Sequence, residues 1–531
     1  MDDKILKSPL PPIPYPEISV AKYILDRLKQ FSGQKTVLLD CPSGRKHSAQ
    51  QVYDHILNIA AAFVDLGLNK GDVVLFISPN SDYYAIGLLA VMAAGGVFSA
   101  CSELSSYREV YNAIEDTTAK YVVCTPDNLE DIKNIAECLP QIRKIILMSN
   151  EWTSQTDPKV VNYFQLYDYE ASECSYDLPK RVDCHQDMAA LLLSSGSTGR
   201  PKPIIRLHRN VINLTHQFQH QEIWGLTERS VHSCQNTFCH SGGLTFLLHS
   251  IASGAIAAIM PAFEGNKFIN YVEKYKITSA FLVPSYVIFL ANVDVSNRDV
   301  SSFEDIICAG SPLPEGIADK VFANMGLKYF RQGYGMTEVG FCTQVFRSKN
   351  LEHKASVGWC VPDSQVKVVD PNTSELLGPN QVGEVWIKSH QMTPGYLNLP
   401  DKNAESFDGQ GFIRSGDAGY YDSQRLLYIM DRYKQILKVE GIIVLPSELE
   451  YLLLSHEDVS EAAVIGVKHS YYVEVPKAFV VLKPQRKVSE EKLIQYIDGL
   501  VNDVKKLRGG LTILQELPKT PLGKINKTLL Q

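Results

Sequence analysis

The densest run of potential chemistry in this chain is Ser194-Ser195-Gly196-Ser197-Thr198-Gly199-Arg200-Pro201-Lys202. Six consecutive small or hydroxylated residues follow the apolar run 191–193, and a basic pair comes straight after. Gly196 and Gly199 let the backbone bend and come close to a ligand. Successive backbone N–H groups in such a loop form an anion-binding concavity, and the hydroxyls add donors. Phosphate is the ligand that suits this chemistry. The run departs from the common nucleotide loop, which needs two glycines five apart and a Lys-Ser/Thr opening a helix. Here the glycines are three apart, and Lys202 stands between Pro201 and Pro203.

Three further groupings carry suitable side chains. In Gln332-Gly-Tyr334-Gly335-Met336-Thr337-Glu338 two glycines permit a tight turn, and Tyr334 offers a flat face to a base. Thr337 and Glu338 offer oxygen ligands suited to Mg²⁺ and ATP phosphates. In Arg414-Ser-Gly-Asp417, with Asp431-Arg432 beyond it, a carboxylate at a glycine turn can take a ribose diol, and an arginine can partner phosphate or ribose. In Pro518-Lys519-Thr520-Pro521-Leu522-Gly523-Lys524-Ile525, Pro and Gly fix a loop that presents Lys524 beside an apolar anchor. A compact ammonium there could neutralise a carboxylate attacking phosphorus. Taken singly, each reads equally well as a surface turn or an exposed tail.

These groups need a scaffold. Over residues 20–330 strand-like apolar runs, such as 73–77, 121–124, 255–260 and 305–308, alternate with helical patterns. That alternation predicts βαβ units and largely parallel sheets, an α/β fold. Residues 355–430 read as short strands with turns, a smaller antiparallel β region. Beyond Asp431 the pattern predicts a helix over 448–454, strands over 462–467 and 478–482, and a helix over 490–507. That is a compact α+β unit near the lower size limit of an independent domain.

A chain of 531 residues is too long for one core, so at least two domains are expected. A net charge of −7, spread without long like-charge blocks, argues against nucleic acid as a partner. Eleven irregularly spaced cysteines without a Cys-x-x-Cys fit free thiols in a reducing compartment. The pair of Cys/His groups at 232–240 matches no common zinc spacing. No secretory h-region follows the Pro-rich start. Two uncharged stretches, 83–102 and 242–263, have the length of membrane spans. Glycines break each near its middle, which predicts a buried helix, a glycine cap and a buried strand instead. No transmembrane segment is expected. The Thr-Leu-Leu-Gln end is not a peroxisomal tripeptide of the SKL type, so a cytoplasmic location is expected, with peroxisomal association left open.

Together the motifs match one family in type, order and spacing. The chain resembles the adenylate-forming acid:CoA ligases of the ANL superfamily, most nearly the branch of 4-coumarate:CoA ligases and firefly luciferase, from about residue 20 to 530. Further matching stretches are Phe238-Cys-His240-Ser-Gly-Gly, Ala309-Gly310-Ser311-Pro-Leu, Gly383-Glu384, Pro394-Gly-Tyr396 and Asp431-Arg432-Tyr-Lys434-Gln-Ile-Leu-Lys438 with Gly441. The resemblance implies a large N-terminal adenylation domain (1–431) of two αβ subdomains plus a small β-barrel region, a hinge (432–434), and a small mobile C-terminal domain (435–531). It implies ATP, Mg²⁺, coenzyme A and a hydrophobic aryl or fatty carboxylic acid as reactants. By the same resemblance, the 194–202 loop, including Ser194 and Lys202, would hold the β- and γ-phosphates. Thr337 would touch the α-phosphate, and Glu338 would bind Mg²⁺. Tyr334, with Gly335, would stack on adenine. Asp417 would hold the ribose, with Arg432 nearby. Lys524 would be the adenylation lysine and Lys434 the hinge. Lys438 and Gly441 would face the site in the thioester step. His240 would lie between acyl pocket and CoA tunnel, and Ala309, Gly310 and Ser311 would line the acyl and adenine pockets.

The sequence departs from the family at Pro203, which replaces the usual glycine and removes an N–H, and at Ile443, which replaces a polar residue. Leu214 stands where luciferases carry an arginine. Gly242, Gly243, Ala309 and Gly340 suggest room for a bulky or long acyl group. Other outcomes of the same motifs are delivery to a carrier protein, a luciferase-like monooxygenase, and a silent acyl or nucleotide binder.

Overall fold

The computed structural model describes residues 2–149, 157–170, 182–194, 200–350, 352–439, 442–469, 473–519 and 525–530. Two large sheets form the body of the molecule. The first has seven strands in the order Lys202–Leu207, Met188–Ser194, Val97–Cys101, Val73–Ile77, Tyr121–Cys124, Lys144–Leu147 and Val160–Asn162, parallel except for its first pair. The second has nine, with Asp305–Cys308, Ser279–Leu282, Val231–Cys234 and Ile256–Ile259 parallel at its centre. Central strands such as Val73–Ile77 are buried at every position, which is why they read as unbroken apolar runs.

The helices between them begin and end on recognisable signals. Ala49–Asp65 starts where the Ser48 hydroxyl accepts from Gln51 N–H and the Gln51 amide oxygen accepts from Ser48 N–H. This reciprocal cap satisfies two otherwise unpaired donors. Val52, Ile56, Ile59 and Phe63, three and four apart, then face the core. Both membrane-length stretches resolve as predicted. Helix Asp82–Ala93 turns at Gly95 (φ +81°) into strand Val97–Cys101, and helix Ser241–Ala252 turns at Gly254 (φ +70°) into Ile256–Ile259. Among the described residues no helix is long and apolar enough to cross a membrane.

The β region expected at 355–430 is a five-stranded antiparallel sheet in the order Ile5–Lys7, Ser364–Val369, Gly383–Ser389, Ile413–Tyr421 and Leu427–Arg432. Its first strand comes from the far N-terminus, where a three-residue run carries no periodic signal.

The C-terminal residues pack around a cluster of their own, with Leu437, Val464, Val480, Leu493 and Ile497 at its centre. The predicted strands are the middles of longer ones, Val459–His469 and Val473–Leu482, and Leu511–Leu514 adds a parallel third. The helix predicted over 490–507 stops at Asp498. Gly499 caps it and a short 3-10 turn, Asp503–Lys505, follows. Ten described cysteines are free thiols, nine of them buried.

Candidate active site

Among the described residues, parts of three motifs come into contact: the strand that follows the 194–202 loop touches the 337–338 turn, and Tyr334 touches the Asp417–Arg432 pair. The phosphate-loop candidate joins two antiparallel strands, Met188–Ser194 and Lys202–Leu207, with Ser194 opposite Lys202. It is thus a strand–loop–strand element, not the strand–loop–helix of the common nucleotide loop. Arg200 does not face a ligand. Its guanidinium bonds Asp116 (2.6 Å) and Glu115 (2.7 Å) on helix Tyr107–Thr117 and anchors the loop's exit. Pro203 sits on an edge strand. Its carbonyl accepts from Leu397 N–H at 2.9 Å, so its nitrogen lies on that outer side and no ladder bond to the neighbouring strand is lost. Ser195, Gly196, Ser197, Thr198 and Gly199 lie outside the described residues.

Tyr334 and Asp417, 83 residues apart, are in direct contact. The phenol of Tyr334 donates to Asp417 Oδ2 at 2.5 Å. Arg432 lies directly opposite Asp417 in the antiparallel ladder, and its Nε reaches Oδ1 at 3.1 Å. The Ser415 hydroxyl accepts from Asp417 N–H at 3.0 Å, and the Ser415 carbonyl accepts from Arg432 Nη1 at 3.1 Å. Burial pushes the Asp417 carboxyl above the usual carboxylate range; the Arg432 charge and the Tyr334 bond oppose that shift. Each carboxylate oxygen keeps a further lone-pair direction for a ligand hydroxyl. Burial and the neighbouring carboxylate hold the Tyr334 phenol in its protonated form, so it remains a donor.

Strand Tyr329–Met336 turns through residues 337–339 into Gly340–Gln344. Gly335 is obligatory there, since a Cβ would lie 2.1 Å from the Gly340 carbonyl oxygen. Gly310 adopts φ +107°, another position that favours glycine. Glu338 is 8% exposed. Its Oε1 accepts from the Tyr396 phenol at 2.8 Å, and its main-chain carbonyl accepts from Thr393 N–H at 2.7 Å. Oε2 has no protein partner among the described residues. Two side chains in this group were not assigned roles from sequence: Tyr396, and Arg206, whose Nη1 donates to the carbonyls of Thr337 and Glu338. The signal for Arg206 was present as a lone charge in the apolar strand Pro203-Ile-Ile-Arg206-Leu.

His240 is the N-cap residue of helix Ser241–Ala252. Neighbouring groups stand close to several of the small residues. A Cβ on Gly243 would meet the Thr237 carbonyl oxygen at 2.1 Å, so that glycine serves the turn. Phe281 covers Gly242, Leu214 covers Gly340, and Phe341 lies on Gly333. Phe246, Phe281 and Phe341, buried together with Leu214 and Ala309, have ring centroids 4.4–6.0 Å apart. The three rings thus form a buried aromatic wall.

Gly441 and Lys524 lie outside the described residues, as do the side chains of Lys434, Lys438 and Ile443. The flanks of Lys524 are described: Lys519 bridges to Ile525, and Asn526 N–H donates to the Pro518 carbonyl at 2.7 Å.

Comparison with known proteins shows the family of the chain. The model of the AMP-binding enzyme family matches residues 25–397, and that of the AMP-binding enzyme C-terminal domain matches residues 448–524. The chain is 30% identical to the probable 4-coumarate–CoA ligase 2 of Dictyostelium discoideum, over 98% of this chain and 96% of that one. It is 28% identical to the peroxisomal OPC-8:0-CoA ligase 1 of Arabidopsis thaliana, over 98% and 94%. In fold it is similar to the anthranilate CoA ligase AuaEII in complex with anthranoyl-AMP, with a TM-score of 0.84 at 23% identity over 97% of both chains. With both family domains present and relatives aligned along nearly its whole length, the chain belongs to the AMP-binding enzyme family and is an AMP-forming acyl-CoA synthetase.

Proposed function

We propose that this enzyme activates a compact, ring-bearing carboxylic acid as its acyl-adenylate and passes the acyl group to coenzyme A. The aromatic wall of Phe246, Phe281 and Phe341 carries the choice of acid. Flat rings pack well in offset or edge-to-face arrangements against such a wall. A long alkyl chain would need the space that these rings fill. Relatives named for 4-coumarate are compatible with this reading.

The chemistry fixes what the residues must do. A carboxylate oxygen attacks the ATP α-phosphorus, and the bond to pyrophosphate breaks. The coenzyme A thiol, losing its proton, then attacks the acyl carbon, and AMP departs. In this reading Ser194 through Gly199 and Lys202 hold the leaving pyrophosphate, and Lys524 bridges carboxylate and phosphate. Thr337 donates to the α-phosphate. Tyr334 and Gly335 pack on adenine while Asp417 and Arg432 fix the ribose, which the Tyr334–Asp417–Arg432 contacts support. Gly310 and His240 border the acyl site, and Lys438 and Gly441 serve the thioester step. Mg²⁺ would be held by Glu338 Oε2 together with substrate phosphates, the one-carboxylate mode usual for this ion, and would supply countercharge there.

Residues 1–431 would form the adenylation domain and 435–531 a domain that reorients about 432–434, with Lys434 as hinge. The separate hydrophobic cluster of the C-terminal residues supports this division. Nine buried free thiols support a reducing compartment such as the cytoplasm.

The test is pyrophosphate release across a panel of acids. Cinnamate-type and benzoate-type acids should exceed straight-chain acids of twelve or more carbons by about tenfold or more in kcat/KM, the scale set by pocket discrimination. Equal or better rates with the long chains would refute the compact-acid reading.

A further inference from the structure

Resting on the adenylation chemistry proposed above, the structure assigns Arg206 a part in that step. We propose that Arg206 is a positioning residue whose buried guanidinium holds the Thr337–Glu338 turn in the geometry needed for acyl-adenylate formation.

Arg206 is 1% exposed, among the largest fully buried side chains of the protein. Side chains alternate along a strand, so Lys202, Ile204 and Arg206 share one face of Lys202–Leu207. Arg206 lies four residue pairs beyond Lys202 along the same strand. Burial draws its pKa down to about 10, with the Glu338 carboxylate acting in the opposite direction, so it is a cation at neutral pH. The other fully buried arginine among the described residues, Arg331, has the usual solution: Asp305 takes both of its Nη2 bonds, at 2.6 and 2.7 Å. Among the described residues Arg206 has no carboxylate within ion-pair distance. Its partners are two main-chain carbonyls, of Thr337 at 3.2 Å and of Glu338 at 3.4 Å, both reached by Nη1.

A buried charge without an ion pair is costly unless its surroundings compensate it. An apolar side chain would fill this position on an apolar strand at lower cost, so the fold alone does not call for a cation here. What the cation touches explains it. The segment 393–397 is zipped onto the same strand: the Thr393 hydroxyl donates to the Ile205 carbonyl at 2.5 Å, and Ile205 N–H donates to the Gly395 carbonyl at 3.0 Å. From that segment Thr393 N–H holds the Glu338 carbonyl, and the Tyr396 phenol holds its carboxylate. Arg206 adds the third hold, from beneath, on both residues of the turn. Removing it frees the Thr337 carbonyl and leaves Glu338 fixed from one side.

The experiment compares Arg206→Met, which keeps bulk and loses charge, with Arg206→Lys, which keeps charge. Acid-dependent ATP–pyrophosphate exchange reads the first half-reaction, and thioester formation from supplied acyl-AMP and coenzyme A reads the second. Arg206→Met should lower exchange kcat about 100-fold, the usual consequence of a misplacement near 1 Å. It should leave the second half-reaction within about twofold, because acyl-AMP already carries the bond that the turn helps to form. Arg206→Lys should recover most of the loss. Hydrogen exchange on the unliganded protein should show faster exchange of the peptide spanning 337–340 in the Met variant. The inference is overturned if the Met variant keeps full exchange activity, if both half-reactions fall together as in a general loss of folded protein, or if Lys is no better than Met. If both variants fail to fold, Arg206 is a stabilising residue and the positional role is wrong. Absence of exchange in the unmutated enzyme would instead defeat the acyl-adenylate reading itself.

Discussion

Replacing Tyr334 by Phe removes one oxygen atom from the proposed nucleotide site and leaves the ring. That oxygen donates to Asp417 Oδ2 at 2.5 Å, and Asp417 is buried, so water is a poor substitute. A hydrogen bond to a charged group contributes about 1.5–3 kcal/mol. Arg432 still holds the other oxygen at 3.1 Å, so the lower end applies. About 1.5 kcal/mol is roughly tenfold in binding. KM for ATP in the exchange assay should therefore rise about tenfold, with kcat changed little, because adenine still finds an aromatic face. A second readout follows from charge. Burial holds the Asp417 carboxyl above its ordinary range, and the Tyr334 bond pulls it back down. A ribose diol needs the ionised form, so KM for ATP should rise as pH falls from neutral into the acid range. In Tyr334→Phe that rise should begin at higher pH. A KM within twofold of the parent, with an unmoved acid limb, would refute the assignment of Tyr334 and Asp417 to the nucleotide.

Other parts of the account make separate predictions. Lys524→Ala should abolish exchange yet leave thioester formation from supplied acyl-AMP, and Lys438→Ala should do the reverse; equal loss of both half-reactions in either variant would contradict domain rotation. Gly335→Ala places a Cβ 2.1 Å from the Gly340 carbonyl oxygen, so it should cost exchange activity at least about 100-fold while far-UV circular dichroism stays intact. Asp82 concerns stability. Burial raises its pKa, but bonds from Arg45 (2.5 and 2.8 Å) and His47 (2.6 Å) outweigh that and bring it to about 2 from 3.8. A depressed carboxylate stabilises the fold above its unfolded value and loses that contribution as pH falls through the folded one. Urea melts of the parent and of Asp82→Asn should thus show a parent-specific loss of about 2 kcal/mol between pH 4 and 2.

Much of this architecture was legible in sequence, and the reasons are physical. Glycine-broken apolar stretches at 83–102 and 242–263 could be read as helix-turn-strand because a buried parallel sheet demands such runs. Tyr334 and Asp417 could be named from separate motifs, but their contact across 83 residues follows from tertiary packing that no local pattern encodes. Glycine illustrates the opposite failure. Gly243 read as space, yet a Cβ there would meet the Thr237 carbonyl oxygen at 2.1 Å, and Gly340 adopts φ +81°, so backbone geometry alone calls for these glycines. Arg200 belongs to the basic pair beside Lys202, but Glu115 and Asp116 on the helix Tyr107–Thr117 take its charge, which no local pattern shows. Arg206 escaped notice because its meaning lies in the two carbonyls beneath which it is buried, and those belong to another strand pair. The N-terminal strand Ile5–Lys7 was invisible for a simpler reason: three residues carry no period.

The central claim is that the acid's own oxygen attacks the α-phosphorus of ATP. A carboxylic acid labelled with ¹⁸O at both oxygens, incubated with enzyme, ATP and coenzyme A, tests it by mass spectrometry of the products. The account predicts one ¹⁸O in each AMP released, unlabelled pyrophosphate, and one ¹⁸O kept in the acyl thioester. Label appearing in inorganic phosphate alongside ADP, or AMP formed without label, would contradict it.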